Sequence, residues 1–254
     1  MAQLTRTLPA SWFCSPALYQ LERRAVFLKA WHFLGPVTRF QSRSEAVEYE
    51  IAQVKLIVKN NAPESEGLSS DGIVVIDGYQ ECLHCQYTHP AFSKFYPPTF
   101  YSVTNHTNFS QHIADPKKPD DGLFLYFFPI CTLNVYGGGM SSFRTLPSSD
   151  PGVSRMEFDY YHQGTDEEFE QYYKFVRQVA MEDFELCEKA QSNLEKGVYG
   201  EGILNPIKEN GVAFYQQHVK EMVYAQHAVE EEAKAAEAQV EGPAQVAQES
   251  VAVA

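Results

Sequence analysis

The stretch GLFLYFFPICTLNVYGGGMSSFRTL, residues 122–146, decides the predicted fold. It consists of short runs of aromatic and β-branched residues, separated by a proline and by three consecutive glycines. This pattern is typical of antiparallel strands joined by tight turns. A similar run follows a second Pro/Ser/Gly-rich turn. We therefore expect four strands, at residues 122–128, 132–136, 140–146 and 155–161.

A long amphipathic helix is predicted directly after these strands. Between Glu167 and Gly197, apolar residues recur at spacings of three and four, which places them on one face of a helix. They are Phe169, Tyr172, Tyr173, Val176, Val179, Ala180 and Phe184. A curved antiparallel sheet that grips one long helix gives an α+β fold with an internal cavity.

Two histidines and two acids lie close together upstream, in the stretch DGYQECLHCQYTHP, residues 77–90. At about 100° per residue, Asp77, Glu81 and His84 would share one side of a helix. His89 can reach the same point as His84 only if the helix ends between them, and the proline after His89 is consistent with such a break. Two neutral imidazoles and one carboxylate can hold Fe(II) on one face and leave positions open for O2 and substrate. His84 and His89 are therefore candidate iron ligands.

The pattern Asp-x3-Glu-x2-His-x4-His resembles the iron motif of the Rieske-type non-heme iron oxygenases, the ring-hydroxylating oxygenase alpha subunits. It is most similar to the branch that contains choline monooxygenase and carnitine oxygenase. In that family the third ligand is an aspartate on a long, late helix, and Asp183 matches it. The resemblance extends outward from these residues and covers about residues 8–60 and 72–224.

The resemblance implies a helix-grip (START-like) catalytic domain in which His84, His89 and Asp183 hold Fe(2+). Glu81 matches the acid that in this family bridges a ligand histidine and the Rieske cluster of a neighbouring subunit in a trimer. Glu81 and Asp77 are therefore the candidate catalytic acids, and a homotrimer is an expected assembly. Electrons would come from a reductase or a Rieske protein.

The cysteines depart from this family. A [2Fe-2S] Rieske cluster needs Cys-x-His and, downstream, Cys-x2-His. Only Cys82-x-His84 has the first spacing, and no Cys-x2-His is present in this sequence. A natural truncated paralogue, a gene model that skips an exon, and a catalytic subunit supplied with electrons by another protein would each explain the pattern.

The predicted domain organisation follows from this comparison. Residues 1–60 are expected to be a remnant that flanks the missing Rieske domain, and the polar, Pro/Gly/Ser-containing residues 61–71 are expected to be a linker. Residues 72–225 would form the mononuclear iron domain. Residues 226–254, rich in Ala, Glu, Gln and Val, are predicted to be a frayed helix that leads into a disordered tail.

Bulk properties limit the class of partner. The net charge of −13 argues against nucleic acid, because a binder must neutralise phosphates with a basic surface. No apolar run approaches the roughly 20 residues that a membrane span needs, and no signal sequence is recognisable. Five cysteines, an odd number, do not indicate a disulfide framework. The cytoplasm is the expected location.

The same residues allow other interpretations. Cys82 and Cys85 form a Cys-x2-Cys pair that could suggest zinc, but structural zinc sites usually draw ligands from two well-separated pairs. Phe124, Tyr126, Phe128 and Tyr136 could be core residues or line a cavity. The remaining histidines are expected to be solvated or hydrogen-bonded: His32, His106, His112, His162, His218 and His227.

The functional prediction is an iron-dependent oxygenase that hydroxylates a small organic molecule with O2. The resemblance implies a quaternary ammonium substrate, with choline, which would give betaine aldehyde, as the single best candidate. Because the cluster ligands are missing, enzymatic activity stays open. The alternatives are an inactive paralogue that binds a ligand in the same cavity, and a non-functional product.

Overall fold

A computed structural model shows an α+β protein, as predicted. Helices pack on an antiparallel sheet of six strands, and a two-stranded hairpin precedes it. The structure describes residues 5–41, 46–59, 80, 83–97, 101–115, 117, 122–148, 150 and 152–241.

The large sheet is a simple meander in which each strand pairs with the next one along the chain. Its order is β3-β4-β5-β6-β7-β8. The strands are β3 (Ser102–Asn105), β4 (Phe109–Ile113), β5 (Leu123–Phe127), β6 (Cys131–Tyr136), β7 (Gly139–Pro147) and β8 (Ser154–His162). The last four confirm the predicted strands to within one residue at each end.

β3 and β4 were not predicted, and the burial pattern of β4 gives the reason. Its inward-facing residues are Ser110 and His112, both buried, whereas Phe109 and Ile113 are only partly buried. A strand whose buried face is polar does not show the usual alternation of hydropathy.

The three consecutive glycines have two separate roles. Gly137 and Gly138 form a two-residue turn with φ of 59° and 76°, the left-handed conformation that tight hairpins favour. Gly139 lies against the following helix, because a Cβ there would be 2.5 Å from the Tyr172 ring. The turn thus closes the hairpin β6–β7 and lets the helix approach the sheet.

The long helix α4 spans Asp166–Glu195, close to the predicted 167–197. It begins with a capping box in which Thr165 and Glu168 each accept a hydrogen bond from the other's backbone N–H. Tyr172 and Val176 are its buried residues and pack toward the sheet. Asp183 follows about two turns after Val176 on the same helix.

The N-terminal residues form a separate region, which packs on the six-stranded sheet. They comprise the helices α1 (Ala10–Cys14) and α2 (Pro16–Glu22), a π-helical turn (Arg23–Phe27), a 3-10 turn (Val37–Phe40) and the hairpin β1 (Ala46–Ile51) and β2 (Val54–Lys59). The π-helical turn buries Ala25, Val26 and Phe27 in one hydrophobic core with Tyr126, Phe128 and other residues. The predicted boundaries at residues 60 and 72 stay predictions, since residues 60–79 lie outside the described ranges.

A buried network of charges also connects the N-terminal region to the sheet. Arg144 on β7 is 2% exposed and donates to Asp159 Oδ2 at 2.9 Å and to Glu157 Oε2 at 2.7 and 2.9 Å. Arg39, in the 3-10 turn, pairs with the other oxygen of Asp159. One carboxylate thus bridges two guanidinium groups from different parts of the chain.

The last helix, α5, spans Asn210–Glu241. Residues 226–241 thus form the helical part of the predicted tail, while residues 242–254 lie outside the described ranges and their predicted disorder stays a prediction. Part of the extension is held by a two-pronged ion pair, in which Arg24 donates to Glu230 at 2.7 and 2.8 Å. Alanine, glutamate and glutamine also have high helix propensity. Among the described helices, none is both long and apolar enough to cross a bilayer.

Candidate metal centre

The two candidate histidines flank a single helical turn. The helix α3 spans only Cys85–Thr88, with His84 directly before it and His89 directly after it. His89 has φ −118° and ψ 66°, so the chain leaves helical geometry there, as the spacing required. The two rings lie edge to face with centroids 5.3 Å apart.

Asp183 meets both histidines from helix α4. Its Oδ1 atom lies 3.0 Å from His89 Nε2 and 3.3 Å from His84 Nε2. One potential ligand atom from each of the three residues lies within 4.8 Å of the others. The fold therefore brings together residues that are 94 positions apart in sequence.

These distances fit a shared divalent ion. Two ligand atoms about 2.1 Å from one metal and about 90° apart around it are separated by about 3.0 Å. The two histidine–Asp183 distances match that value. Two imidazoles and one carboxylate form the ligand set expected for non-heme Fe(II) with open positions. The residues present therefore fit the iron that the resemblance implies.

The electrostatics of the cluster also suit a cation. Burial by itself lowers the pKa of His89, but hydrogen bonds to Asp183 and Glu182 outweigh it, and the pKa lies above its ordinary value. Burial by itself raises the pKa of Asp183, but contacts with His84 and His89 hold it below its ordinary value. Two carboxylates thus face two imidazoles, an arrangement that favours positive charge between them.

Glu182 was missed as a member of this cluster. Its Oε2 atom lies 2.8 Å from His89 Nδ1, and its Oε1 accepts from Gln178 Nε2 at 2.9 Å. The sequence did contain a signal, because Glu182 precedes the candidate ligand directly and Gln178 lies one helical turn before it. Adjacency alone, however, does not show which ring nitrogen an acid would reach.

The structure leaves some predicted residues untested. Asp77 and Glu81, the candidate catalytic acids, lie outside the described residues. Cys85 is buried and its sulfur is in a disulfide, so it offers no thiolate to the zinc alternative. The potential ligand cluster found among the described residues contains His84, His89 and Asp183 and no cysteine.

A cavity of about 120 Å³ lies beside the cluster, with all three candidate ligands in its wall. The sheet forms the cavity wall that faces the candidate ligands. The strand register explains which residues line this wall, because directly paired residues share a face of the sheet. A row of paired residues crosses five strands and lines the cavity, namely His112, Phe124, Asn134, Ser141 and Tyr160. The sheet therefore builds one side of the cavity, and α3 and α4 build the other.

Aromatic rings dominate part of this wall. Tyr96, Phe124 and Tyr136 form a cluster with centroid separations of 5.3 to 5.6 Å, and two of the three ring pairs are close to perpendicular. Phe124 and Tyr136 thus line the cavity, whereas Tyr126 and Phe128 belong to the hydrophobic core. Among the described residues that line the cavity, none is a lysine or an arginine.

His112 is a second residue whose position was not predicted. It is 2% exposed, its Nε2 donates to Gln80 Oε1 at 2.9 Å, and its Nδ1 accepts from the Tyr101 hydroxyl. Gln80 is itself fully buried and lies four residues before His84. The hydrogen bond between them connects β4 to the segment that carries the first candidate ligand.

His112 should make the protein less stable in acid. Burial lowers its pKa from 6.5 to about 3, so between these values the unfolded chain binds one more proton than the folded chain. Stability therefore rises with pH in this window, by at most about 1.4 kcal/mol per pH unit from this residue. His112→Gln should flatten the pH dependence of the free energy of unfolding between pH 6 and 4, measured by urea titration. His227→Gln, on the exposed side of α5, is the control; equal slopes for wild type and His112→Gln would contradict the prediction.

Comparison with known proteins supports the resemblance. Residues 101–225 match the family described as Ring hydroxylating alpha subunit (catalytic domain). The match includes Asp183 and begins after His84 and His89. The carnitine monooxygenase oxygenase subunits of Acinetobacter baumannii and Acinetobacter pittii are each 29% identical over 173 residues, which is 58% of this chain. The alignment covers 46% of those relatives, so the chain spans about half of their length.

Solved structures show the same fold. The quaternary ammonium Rieske monooxygenase CntA superposes with TM-scores of 0.72 in complex with an inhibitor and 0.70 in complex with L-carnitine. Sequence identity is 14%, and the superposition covers 86% of this chain and 96% of the solved chain. The sheet and helices of this chain thus agree with the fold of the solved structures and with the family match. Residues 101–225 of this chain are therefore similar to the catalytic domain of the ring hydroxylating alpha subunits.

Proposed function

We propose that this chain is the catalytic part of a non-heme iron oxygenase that hydroxylates a small quaternary ammonium compound. The observation that carries the proposal is the convergence of His84, His89 and Asp183 in the wall of an aromatic cavity. The relatives are carnitine monooxygenase oxygenase subunits, and CntA is described as a quaternary ammonium Rieske monooxygenase.

Each part of the site has a definable task in such a reaction. Iron, when bound, supplies the activation of O2 and the hydroxylation of a C–H bond. His84 and His89 present nitrogen ligands from a short, rigid turn, and Asp183 presents an oxygen ligand from α4. The aromatic wall holds the substrate beside these residues and keeps water away from the reacting bond.

The cavity favours a compact cation over an anion. Tyr96, Phe124 and Tyr136 line the cavity, and aromatic rings attract a trimethylammonium group through cation–π contacts. A carboxylate would find no lysine or arginine to pair with among the described lining residues. At about 120 Å³ the cavity is smaller than the roughly 300–1,000 Å³ of drug-sized sites. We therefore favour choline over carnitine as the substrate.

Electrons must come from a separate component in this proposal. The sequence contains no Cys-x2-His pair for a Rieske cluster. The structure of CntA is described as revealing inter-subunit electron transfer. We propose that a reductase or Rieske protein donates electrons to this chain, that Glu81 and Asp77 act as catalytic acids, and that a homotrimer is the assembly in which this occurs.

Oxygen consumption tests the substrate and the reaction together. Iron-loaded protein supplied with a reductase and a Rieske donor should consume O2 in the presence of choline at a rate at least ten times the rate with L-carnitine. Asp183→Ala should show only the background rate. Equal or faster uptake with L-carnitine would contradict the choice of substrate, and no substrate-dependent uptake with any donor would contradict the enzymatic proposal.

The missing cluster motifs favour a second candidate function, a ligand-binding protein that uses the same cavity without turnover. Calorimetric titration distinguishes the two. Saturable binding of choline by metal-free and iron-loaded protein, without oxygen uptake under any donor, would support a binding module. Binding coupled to oxygen uptake would support the oxygenase.

A further inference from the structure

Glu182 and Asp183 are consecutive residues on α4, yet both contact the same imidazole. Glu182 Oε2 lies 2.8 Å from His89 Nδ1, and Asp183 Oδ1 lies 3.0 Å from His89 Nε2. Because the two ring nitrogens point in different directions, Glu182 and Asp183 contact the His89 ring from two sides and together fix its orientation. His89 is 2% exposed, which leaves no solvent to replace either contact.

We infer that Glu182 is a positioning residue for the metal site, which sets both the tautomer and the ring plane of His89. A carboxylate at Nδ1 accepts the N–H hydrogen bond and leaves the Nε2 lone pair free for a metal. Ligand histidines in metalloproteins commonly have such a partner, which also raises the basicity of the ligating nitrogen. This inference rests on the proposed function, because it assumes a metal at Nε2.

The surroundings of Glu182 show that its own position is fixed. Its side chain is 25% exposed, and its second oxygen accepts from Gln178 Nε2 at 2.9 Å, one turn earlier on α4. The chain of contacts therefore runs from Gln178 through Glu182 to His89 and ends at the Nε2 atom that faces Asp183. A side chain held at both oxygens can orient a ring, whereas a freely rotating surface acid cannot.

Cobalt binding tests this role without relying on turnover. Co(II) can replace Fe(II) at sites of this ligand type, is stable in air, and has visible absorption bands that respond to ligand geometry. Glu182→Ala should weaken Co(II) affinity by about 10- to 100-fold and change the visible spectrum. Glu182→Gln should lose less affinity, because an amide oxygen can still accept the Nδ1–H hydrogen bond. Glu188→Ala, an exposed acid on the same helix, should bind Co(II) like wild type.

The outcomes separate this inference from the proposed function. Wild-type affinity and spectrum in Glu182→Ala, or equal losses in Glu182→Ala and Glu188→Ala, would overturn the positioning role while the metal site stands. If Glu182→Ala does not fold, Glu182→Leu, which keeps an extended side chain but cannot accept the Nδ1–H hydrogen bond, decides, and affinity and a spectrum identical to wild type in that variant would overturn the role. Failure of the wild-type protein to bind Co(II) would overturn the proposed metal site, and the role of Glu182 with it. Thermal unfolding of the metal-free variants shows whether any loss reflects folding.

Discussion

Replacing Asp183 with alanine should reduce the iron bound by purified protein from about one ion per chain to background. Asp183 Oδ1 lies within 3.3 Å of both histidine Nε2 atoms, so its loss removes the oxygen ligand and opens one side of the site. Two imidazoles alone retain Fe(II) weakly, because the site also loses the negative charge that balances the ion. Metal analysis after reconstitution under anaerobic conditions measures the effect.

Two further variants make this prediction specific. His84→Ala should lose iron in the same way, since the three residues act as one site. Glu185→Ala, an exposed acid two positions after Asp183 on α4, should retain iron at the wild-type level. Iron retained at wild-type level by either Asp183→Ala or His84→Ala would mean that the cluster is not the metal site.

Replacing Asp159 with alanine should destabilise the fold by about 3 kcal/mol or more, the largest effect expected for a single charged residue outside the metal centre. Asp159 is 6% exposed and bridges two guanidinium groups, Arg144 and Arg39. Its removal leaves Arg144, which is 2% exposed, with Glu157 as its remaining carboxylate in the network. Removing one partner of a buried pair is costly because the other charge stays desolvated.

A surface ion pair provides the matched comparison. Glu170 and Lys174 lie 3.6 Å apart on α4, with side chains 58% and 74% exposed. Glu170→Ala should change the free energy of unfolding by less than about 0.5 kcal/mol, because exposed pairs are screened by water and salt. Urea titration measures both variants, and Asp159→Asn tests the charge without changing the volume. A loss below about 1 kcal/mol in Asp159→Ala would show that the network does not hold the N-terminal region on the sheet.

The sequence predicted the elements whose pattern is local. Strands β5 to β8 and helix α4 were predicted because hydrophobic periodicity and the glycine and proline turns lie within each segment. The break in the helix at His89 was likewise predicted from the spacing of two histidines and the following proline. The family resemblance supplied Asp183, because its match depends on the order of residues along the chain and not on contacts.

Other features depended on contacts between distant segments and could not be read from local pattern. β4 was missed because Ser110 and His112 are its buried residues, and both hydrogen-bond to the Gln80 side chain, which lies 30 or more residues away in sequence. Helix α5 continues beyond residue 225 partly because Glu230 pairs with Arg24 from the N-terminal region. Neither partner can be recognised from the neighbouring sequence.

The amino-acid sequence alone thus determined the α+β class, the order of the main strands and the identity of three candidate ligands. Only the tertiary structure decided that His84, His89 and Asp183 meet, that Glu182 holds the second ring nitrogen of His89, and that a row of paired residues across five strands forms the cavity wall. The physical reason is that residue type and the hydrophobic periodicity of a segment are local properties, which the sequence shows directly. The distance between two atoms 94 residues apart is set by the register of the sheet and by the packing of α4 against it.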